Sequence, residues 1–392
     1  MTKPLLHVCF VSREFGSGGG IGTYVWEMAA GLAAAGHAVT VISDGRLRVD
    51  RQPPGGVVSI RVVPRTPSSR RVIWRVDRRL PWFALAAARA LWRLTKTRTV
   101  DLVETAEFDA DGLVAGLLPR RYPIVVRLHS ARRLIDDIAP PQAPATTSYW
   151  FERSVLVRAD AITSPSVAIV GKTFDLFGLP RRACSVIPNP IHLGTQPEVT
   201  RTPGEVAYVG RLETRKGVVA LAAAVPIVLN QRPDLRFVFV GADGQHPEGG
   251  SFRHHIRSQV APELRDRVQF EELARHQVPV RLAQSDLSIF PSLWENFPYT
   301  LLESMSVGTP AIVSPYGGMP EVVTHLENGI VLAEPTAANI AAGILEACRD
   351  RERLERMRTR AKETIDNRYR TDIVVAQMVA AYRRFIDEKA RR

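Results

Sequence analysis

Short apolar segments alternate with helical segments along this chain, and the alternation runs through two rounds. The first round has apolar segments at 5–11, 38–43, 57–63, 100–104, 123–129 and 160–166. The second round has them at 205–211, 235–242, 268–272, 286–292, 310–318 and 329–334. Continuous apolar strands joined by helices are typical of parallel sheets that helices cover on both faces. The sequence therefore predicts an α/β protein with two doubly wound, Rossmann-like domains.

A break in composition separates the two rounds. Residues 187–204 are rich in Pro, Gly and Thr, which is typical of a linker. We predict an N-terminal domain at 1–194 and a C-terminal domain at 195–370, followed at 371–392 by a helix that crosses back to the N-terminal domain. Ligands of such sheets bind at the carboxyl ends of the strands, so a cleft between the two domains is the expected site.

The cysteines and the apolar runs indicate a cellular location. Cys9, Cys184 and Cys348 are far apart and form no C-x-x-C. This spacing argues against a disulfide framework and a thiolate zinc site, and it fits a reducing cytoplasm. The N-terminus lacks the features of a signal peptide, and the longest apolar run, 217–231, is too short to span a bilayer. We therefore expect a cytoplasmic protein.

The positive charge is concentrated in one segment. The formal net charge is +12, and 46 of the 52 basic residues are Arg, a skew that GC-rich codons also produce. Segment 65–98 contains nine Arg, one Lys and a single acid, with Trp74, Trp82 and Trp92 among them. Such a pattern is typical of a helix at a membrane interface, but also of a solvated helix face. No nucleic-acid-binding motif accompanies it, so we predict no nucleic acid partner and keep weak contact with the inner membrane face as an alternative.

Three features of the first round are candidate ligand sites. The glycine-rich loop 16–22 brings backbone amides to a helix N-terminus, where they can bind a phosphate or a sugar; the alternative is a simple tight turn. Its spacing is not G-x-G-x-x-G, which argues against a dinucleotide site. Segment 166–173 resembles a P-loop but begins with Ser166, and we interpret it as an ordinary helix start. Asp109 and Asp111 form a D-x-D, a candidate metal site that no clear buried strand directly precedes.

The second round opens with two cations. Arg211 and Lys216 lie in the turn between a strand and a helix that begins near Gly217. Two cations beside a helix start form a suitable site for a pyrophosphate. The alternative is a solvated basic turn.

Two carboxylates eight residues apart form the most distinctive feature. Glu303 lies within an apolar helix predicted at 300–307, where a charge on the buried side requires a partner. Glu295 lies in the turn before that helix, whose first amides offer a further site for an anion or a hydroxyl. Carboxylates of this kind accept hydrogen bonds from the vicinal hydroxyls of a sugar or a ribose.

Together these segments resemble the family-4 retaining glycosyltransferases, which have the GT-B fold. The resemblance covers nearly the whole chain and rests on six segments in order. They are the glycine loop, RLHS (127–130), VIPNPI (186–191), YVGRLETRKG (208–217), the pair Glu295 and Glu303, and SPYGGMPEVV (314–323). The resemblance implies transfer of a sugar from a UDP- or GDP-linked donor, with retention of anomeric configuration and without a metal cofactor. It leaves the acceptor open among small molecules, saccharides and lipid-linked molecules, in bacterial natural-product or cell-surface polysaccharide biosynthesis.

The resemblance also implies roles for residues of the second domain. Arg211 and Lys216 match the pair that grips the diphosphate. Glu303 matches the residue that binds the ribose hydroxyls, and Glu295 matches the residue beside the donor sugar. Asn296 and Phe297 match the start of the helix whose amides meet the sugar and the phosphate.

Further donor contacts are implied on both sides of the cleft. Gly19 and Gly20 match a loop near the distal phosphate and the acceptor, and His129 matches a histidine that contacts the donor sugar. The base is expected near Glu271 and Leu273. We predict Arg211, Lys216, Glu295 and His129 as the catalytic residues. Pro298 departs from the Phe-Gly-hydrophobic pattern of many members and, because it lacks an N–H, removes one possible donor to the ligand.

Two other classes of protein share this architecture. A non-catalytic protein that binds nucleotide-sugars would keep the same fold, although every expected polar position is filled here. A dinucleotide oxidoreductase would explain neither the cations at Arg211 and Lys216 nor the pair Glu295 and Glu303.

Overall fold

The structure is a computed structural model with two compact units. The first unit comprises Met1–His192 and Thr371–Arg392, and the second comprises Leu193–Arg370. The residues that it describes are 4–16, 19–47, 49, 51–64, 80–117, 119–140, 146–180, 183–194 and 198–392. Among the described helices, none combines the length and the apolar character that crossing a bilayer requires. Of the Arg- and Trp-rich segment 65–98, residues 65–79 lie outside the described part.

The first unit is built on a seven-stranded parallel sheet. The strands are β1 (His7–Val11), β2 (Ala38–Asp44), β3 (Val57–Val62), β4 (Leu102–Ala106), β5 (Ile124–Arg127), β6 (Ala161–Ser164) and β7 (Ser185–Val186). The helices are α1 (Gly20–Ala34), α2 (Leu80–Thr97), α3 (Leu113–Leu117), α4 (Arg132–Ile138), α5 (Thr146–Arg158) and α6 (Val167–Phe177). The strand order is β3-β2-β1-β4-β5-β6-β7, so the winding reverses between β1 and β4.

The second unit repeats this topology with six parallel strands. They are β8 (Glu205–Val209), β9 (Arg236–Val240), β10 (Val268–Glu271), β11 (Leu287–Phe290), β12 (Ala311–Val313) and β13 (Gly329–Val331). The helices are α7 (Val218–Gln231), α8 (Phe252–Gln259), α9 (Val278–Ala283), α10 (Tyr299–Ser306), α11 (Ala337–Ala347) and α12 (Arg351–Arg368). The order β10-β9-β8-β11-β12-β13 reverses between β8 and β11. The predicted α/β class with two Rossmann-like domains is confirmed.

The last helix, α13 (Thr371–Ala390), belongs to the first unit. It packs on α1, where a Cβ at Gly31 would meet Thr371 and Val375. The buried carboxylate of Glu104 on β4 accepts hydrogen bonds from Tyr24 on α1 at 2.7 Å and from Tyr382 on α13 at 2.6 Å. A buried carboxylate requires such donors, and here they join three elements of one unit.

Two local predictions are wrong. The strand predicted to be buried at 57–63 is the edge strand β3, which alternates between half-buried and exposed residues because it has one neighbour in the sheet. The predicted linker begins too early. Arg127 donates a hydrogen bond to Asn189 at 2.9 Å, and the carbonyl of the buried Ile191 accepts one from Thr371 at 3.2 Å, so residues 187–191 are part of the first unit. Residues 195–197 lie outside the described residues.

Replacing Tyr382 by Phe removes one of the two phenol donors to the buried Glu104. We expect Tyr382→Phe to lower the free energy of unfolding by about 1–3 kcal/mol, the cost of leaving a buried polar group short of a partner. Urea unfolding followed by circular dichroism measures the change. Tyr316→Phe is the matched control, because Tyr316 is 40% exposed. An equal effect of the two substitutions would contradict the role given to Tyr382.

Candidate functional site

The second unit brings two loops together at its switch point. One loop follows β8 and contains Arg211 and Lys216, and the other follows the neighbouring strand β11. The N–H of Leu293 in the second loop donates a hydrogen bond to the carbonyl of Arg215 in the first at 2.9 Å. Gly217 has a φ of +72°, and a Cβ there would overlap the carbonyl of Pro291. The loops therefore pack backbone against backbone, as the sheet order requires.

One of the two predicted cations meets a predicted carboxylate between these loops. Lys216 forms an ion pair with Glu295, which also accepts a hydrogen bond from the hydroxyl of Ser292 at 3.3 Å. The side chain of Arg211 is 73% exposed and lies 3.6 Å from Glu213. Lys216 and Glu295 are thus held together, whereas Arg211 is open to solvent.

A third cation lies in the same turn and was missed by the sequence analysis. Arg215 pairs with Glu213 at 2.8 Å, and its other guanidinium nitrogen lies 3.8 Å from Glu295. The sequence signal for Arg215 was its position directly before Lys216. A short 3-10 helix, Thr214–Lys216, turns both side chains towards the second loop.

The apolar helix predicted at 300–307 is α10, Tyr299–Ser306, but the start at Asn296 and Phe297 that the resemblance implies is wrong. We expected Asn296 and Phe297 to start it, but α10 begins at Tyr299 with Pro298 as its N-cap residue. A residue that precedes proline is disfavoured in helical geometry, which keeps Phe297 outside the helix. Asn296 and Phe297 are buried in the approach to the helix. The first-turn amides that could meet a ligand therefore begin at Tyr299.

Glu303 lies on α10 and has the partner that its burial requires. Arg275, from the 3-10 helix Arg275–Gln277 that follows β10, lies 3.4 Å from its carboxylate. The side chain of Glu303 keeps 14% of its accessible surface, so a ligand hydroxyl can still reach it. The sequence predicted the need for a partner but not its identity, because Arg275 comes from another strand–helix connection.

Glu271 is not brought into this arrangement. Arg281 binds the Glu271 carboxylate at 3.0 Å and that of Glu205 at 2.7 Å. Glu205 begins β8, at the end of the strand opposite to the loop of Arg211. The Glu271 carboxylate is therefore held by Arg281, and its place near the base stays a prediction. Leu273 lies half-buried in the loop after β10.

The glycine loop of the first unit leads into α1. Gly19 is the N-cap residue, and a Cβ on it would overlap the carboxylate of Glu14, whereas a Cβ on Gly20 would meet no atom within 4 Å. Glu14 accepts a hydrogen bond from the N–H of Gly22 at 3.3 Å. Burial raises the pKa of Glu14. The carboxylate of Glu14 is thus already bound at the helix start, and the space beside Gly20 is open.

His129 follows β5 and is held by a buried acid that the sequence analysis missed. The N–H of His129 donates to both carboxylate oxygens of Glu107, at 2.7 and 2.8 Å. The imidazole meets the ring of Tyr24 edge-on, with the centroids 4.9 Å apart. Desolvation, and then the charge of Arg127, hold the pKa of His129 well below its usual value. The imidazole is therefore neutral at pH 7.

The D-x-D carboxylates are engaged by arginines. Asp111 is buried and binds Arg13 at 2.8 Å, and Asp109 binds Arg13 and Arg132, each at 3.2 Å. Asp109 and Ala110 have positive φ angles of 58° and 52°, a costly conformation that the ion pairs stabilise. In this arrangement neither carboxylate is open to a cation.

Two family descriptions match successive parts of the chain. "Glycosyltransferase Family 4" matches residues 18–194, and "Glycosyl transferases group 1" matches residues 196–364. Among curated proteins, the chain is similar to a glycogen synthase of Mycobacterium tuberculosis. The two are 26% identical over 391 residues, which cover 93% of this chain and 91% of that protein.

Two solved structures are similar over almost their whole length. Sucrose-phosphate synthase from Thermosynechococcus elongatus has a TM-score of 0.76 and 20% identity, covering 98% of this chain and 100% of that one. HepE from Anabaena, solved with UDP-glucose, has a TM-score of 0.70 and 18% identity, covering 96% of this chain and 100% of that one. These likenesses identify the fold as GT-B.

Glu152 on α5 gives the first unit a predictable pH dependence. Its carboxylate accepts hydrogen bonds from the amides of Asp109 and Arg132, and burial raises its pKa to about 8. Above the ordinary pKa of a glutamate, about 4.3, the unfolded chain has lost this proton whereas the folded chain keeps it until about pH 8. We therefore expect the free energy of unfolding to fall as the pH rises from about 5 to about 8, and Glu152→Gln to flatten that slope.

The slope is measured as the urea midpoint at several pH values. Glu327→Gln, at an exposed position, is the control and should follow the parent protein. An unchanged slope in Glu152→Gln would show that this carboxylate is ionised throughout the range.

Proposed function

The chain belongs to the family-4 glycosyltransferases of GT-B fold, and on that basis we propose that it moves a sugar from a nucleoside-diphosphate sugar to an acceptor with retention of anomeric configuration. The observation that carries the proposal is the meeting of Lys216 with Glu295 beside Arg211, at the carboxyl ends of β8 and β11. Cations for a diphosphate and a carboxylate for sugar hydroxyls thus lie side by side. Glu303 on the following helix adds a second carboxylate for the ribose.

The chemistry assigned to these residues is stabilisation of the leaving group. Breaking the bond between the anomeric carbon and the phosphate oxygen places negative charge on the diphosphate and positive charge on the sugar ring. Arg211, Lys216 and the first amides of α10 stabilise the diphosphate where that charge develops. Lys216 can exchange part of its contact with Glu295 for phosphate oxygens, which leaves Glu295 able to accept from a sugar hydroxyl.

Retention follows if the acceptor attacks from the face that the diphosphate leaves. The acceptor oxygen then forms a bond to the anomeric carbon, and its proton passes to an oxygen of the departing phosphate. This route requires no protein nucleophile and no metal. Gly20 and His129 are assigned to the sugar and acceptor side, where a neutral His129 acts as a hydrogen-bonding group.

The nucleotide is proposed to be UDP. Guanine recognition would favour a carboxylate beside the base, but Glu271 is bound by Arg281 and Glu272 lies 2.6 Å from Arg253. HepE, of similar fold, was solved with UDP-glucose. We place the reaction in the cytoplasm, in keeping with three free cysteines, and leave the acceptor class as a small molecule, a saccharide or a lipid-linked molecule.

Removing either cation should slow turnover with little effect on folding. We expect Arg211→Ala and Lys216→Ala each to lower kcat by about 10²–10³-fold, as loss of one group that stabilises developing charge does. Slow hydrolysis of UDP-sugars measures turnover without a known acceptor. Titration calorimetry with UDP and with GDP measures nucleotide affinity in the same variants.

Arg360→Ala is the matched control. Arg360 lies on α12 with its side chain 68% exposed and pairs with Glu363, so its loss removes a surface cation of the same unit. Parent-like kinetics in both Arg211→Ala and Lys216→Ala would remove the diphosphate assignment. UDP binding without any hydrolysis or transfer would favour the non-catalytic alternative.

Activity should persist in excess EDTA, because fixed cations and helix amides take the place of a metal at the diphosphate. The rate of UDP-sugar hydrolysis with and without EDTA is the measurement. Loss of activity that Mn²⁺ or Mg²⁺ restores would contradict the proposal. In that case Asp109→Asn would test whether the D-x-D binds the ion.

A further inference from the structure

A second group of chemically active side chains lies in the loop that follows β9. His246 and Glu248 belong to this loop, and His255 lies on α8 directly after it. One potential ligand atom from each of the three side chains lies within 4.8 Å of those of the other two. In the part of the chain that the structure describes, no other three or more His, Cys, Asp or Glu side chains converge in this way.

One buried atom of this group indicates that it takes a ligand. His246 is only 5% exposed, and its buried Nε2 has no hydrogen-bond partner among the described residues. Native structures rarely leave a buried polar atom unpaired, because the lost hydration is not replaced. His255 stacks on His246 with the ring centroids 3.7 Å apart.

We propose that His246, His255 and Glu248 bind one transition-metal cation of the Zn²⁺ class. Two imidazoles and one carboxylate are three ligands of a tetrahedral site, with water in the fourth position. This donor set favours Zn²⁺, Co²⁺, Ni²⁺ or Cu²⁺ over Mg²⁺ and Ca²⁺, which prefer oxygen ligands alone.

Binding requires a rearrangement of the side chains. The two rings lie 19° from parallel, and Nε2 of His255 lies 2.5 Å from the side-chain amide nitrogen of Gln259, so the lone pairs converge only when His255 exchanges that contact and turns on the surface of α8. Ligation through Nε2 of His246 moves the ring proton to Nδ1 and releases the 3.2 Å hydrogen bond that the N–H of Glu248 donates to Nδ1. Glu248 is exposed and is followed by Gly249 and Gly250, whose φ angles are +99° and +75°, so its side chain can approach the ion.

The site lies beside the loop of Arg211 but is separate from it. Leu212 donates a backbone hydrogen bond to Ala242 at 3.0 Å, and a Cβ on Gly244 would overlap the carbonyl of Leu212. A bound ion would therefore fix the loop after β9 against the donor-site turn without touching Arg211 or Lys216. The role of the ion in this proposal is structural.

Titration of the full chain with Zn²⁺ and with Co²⁺ tests the site. We expect Zn²⁺ to raise the melting temperature, and Co²⁺ to give the visible absorption of a tetrahedral complex, whereas Mg²⁺ and Ca²⁺ do neither. His255→Ala and Glu248→Gln should weaken Zn²⁺ binding by at least about tenfold, the smaller loss found when even an outer partner of a metal site is removed. His254→Ala is the matched control, since His254 is the exposed neighbour of His255 on the same helix.

A variant that folds poorly would also lose metal binding, so folding is checked separately. His246 is buried, so His246→Ala is compared with the parent only after its melting temperature without metal has been measured. Binding in His255→Ala as tight as in the parent, or no binding of Zn²⁺ and Co²⁺ by the parent, would overturn the proposal. UDP affinity should be the same in His255→Ala as in the parent, which separates this site from the proposed donor site.

Discussion

The ion pair between Lys216 and Glu295 spans the switch point of the second sheet. β8 and β11 are neighbours, and the loops that follow them pack backbone against backbone. The ion pair joins the side chains of the same two loops. Gly217 and Gly317 allow the close packing, because a Cβ on either would overlap the backbone of Pro291 or Glu295. Both charged side chains keep some accessible surface, so the pair is still open to solvent.

The first unit also has an ion pair between two loops at its own switch point, but there the pair is buried. Arg13 follows β1 and Asp111 follows β4, and these two strands are also neighbours across a reversal of strand order. Arg13 binds Asp111 through its amide and its guanidinium, and Asp111 is almost inaccessible. Breaking a buried pair leaves an uncompensated charge, so this pair is structural rather than available for exchange. A D-x-D in sequence is therefore not by itself a metal site, because the residues of the facing loop decide whether its carboxylates are available to a cation.

The sequence predicted the place of a residue well where that residue lies in the loop directly after its own strand. Arg211, Lys216 and Glu295 were predictable from the strand ends that precede them, since parallel strands gather their following loops at one edge. Arg275 and Glu107 were not, because each is defined by a contact with a residue from another connection, and one sequence does not reveal such pairings. The place of Glu271 near the base stays a prediction, and Arg281 binds its carboxylate. The error at β3 was local, because an edge strand has one neighbour. The helix predicted at 300–307 agrees with α10 to within one residue, and Pro298 sets where it begins.

The charge state of His129 decides what this residue can contribute. Arg127 is wholly buried beneath it and lies over the ring of Tyr24, which in turn meets the imidazole edge-on. Desolvation makes a positive charge on the imidazole costly, which lowers the pKa of His129, and the fixed cation of Arg127 adds to that cost. Glu107 binds the backbone N–H of His129 rather than its ring, so this carboxylate makes no hydrogen bond to the imidazole that would offset the cost. The neutral imidazole of His129 can therefore form a hydrogen bond, but it supplies no positive charge.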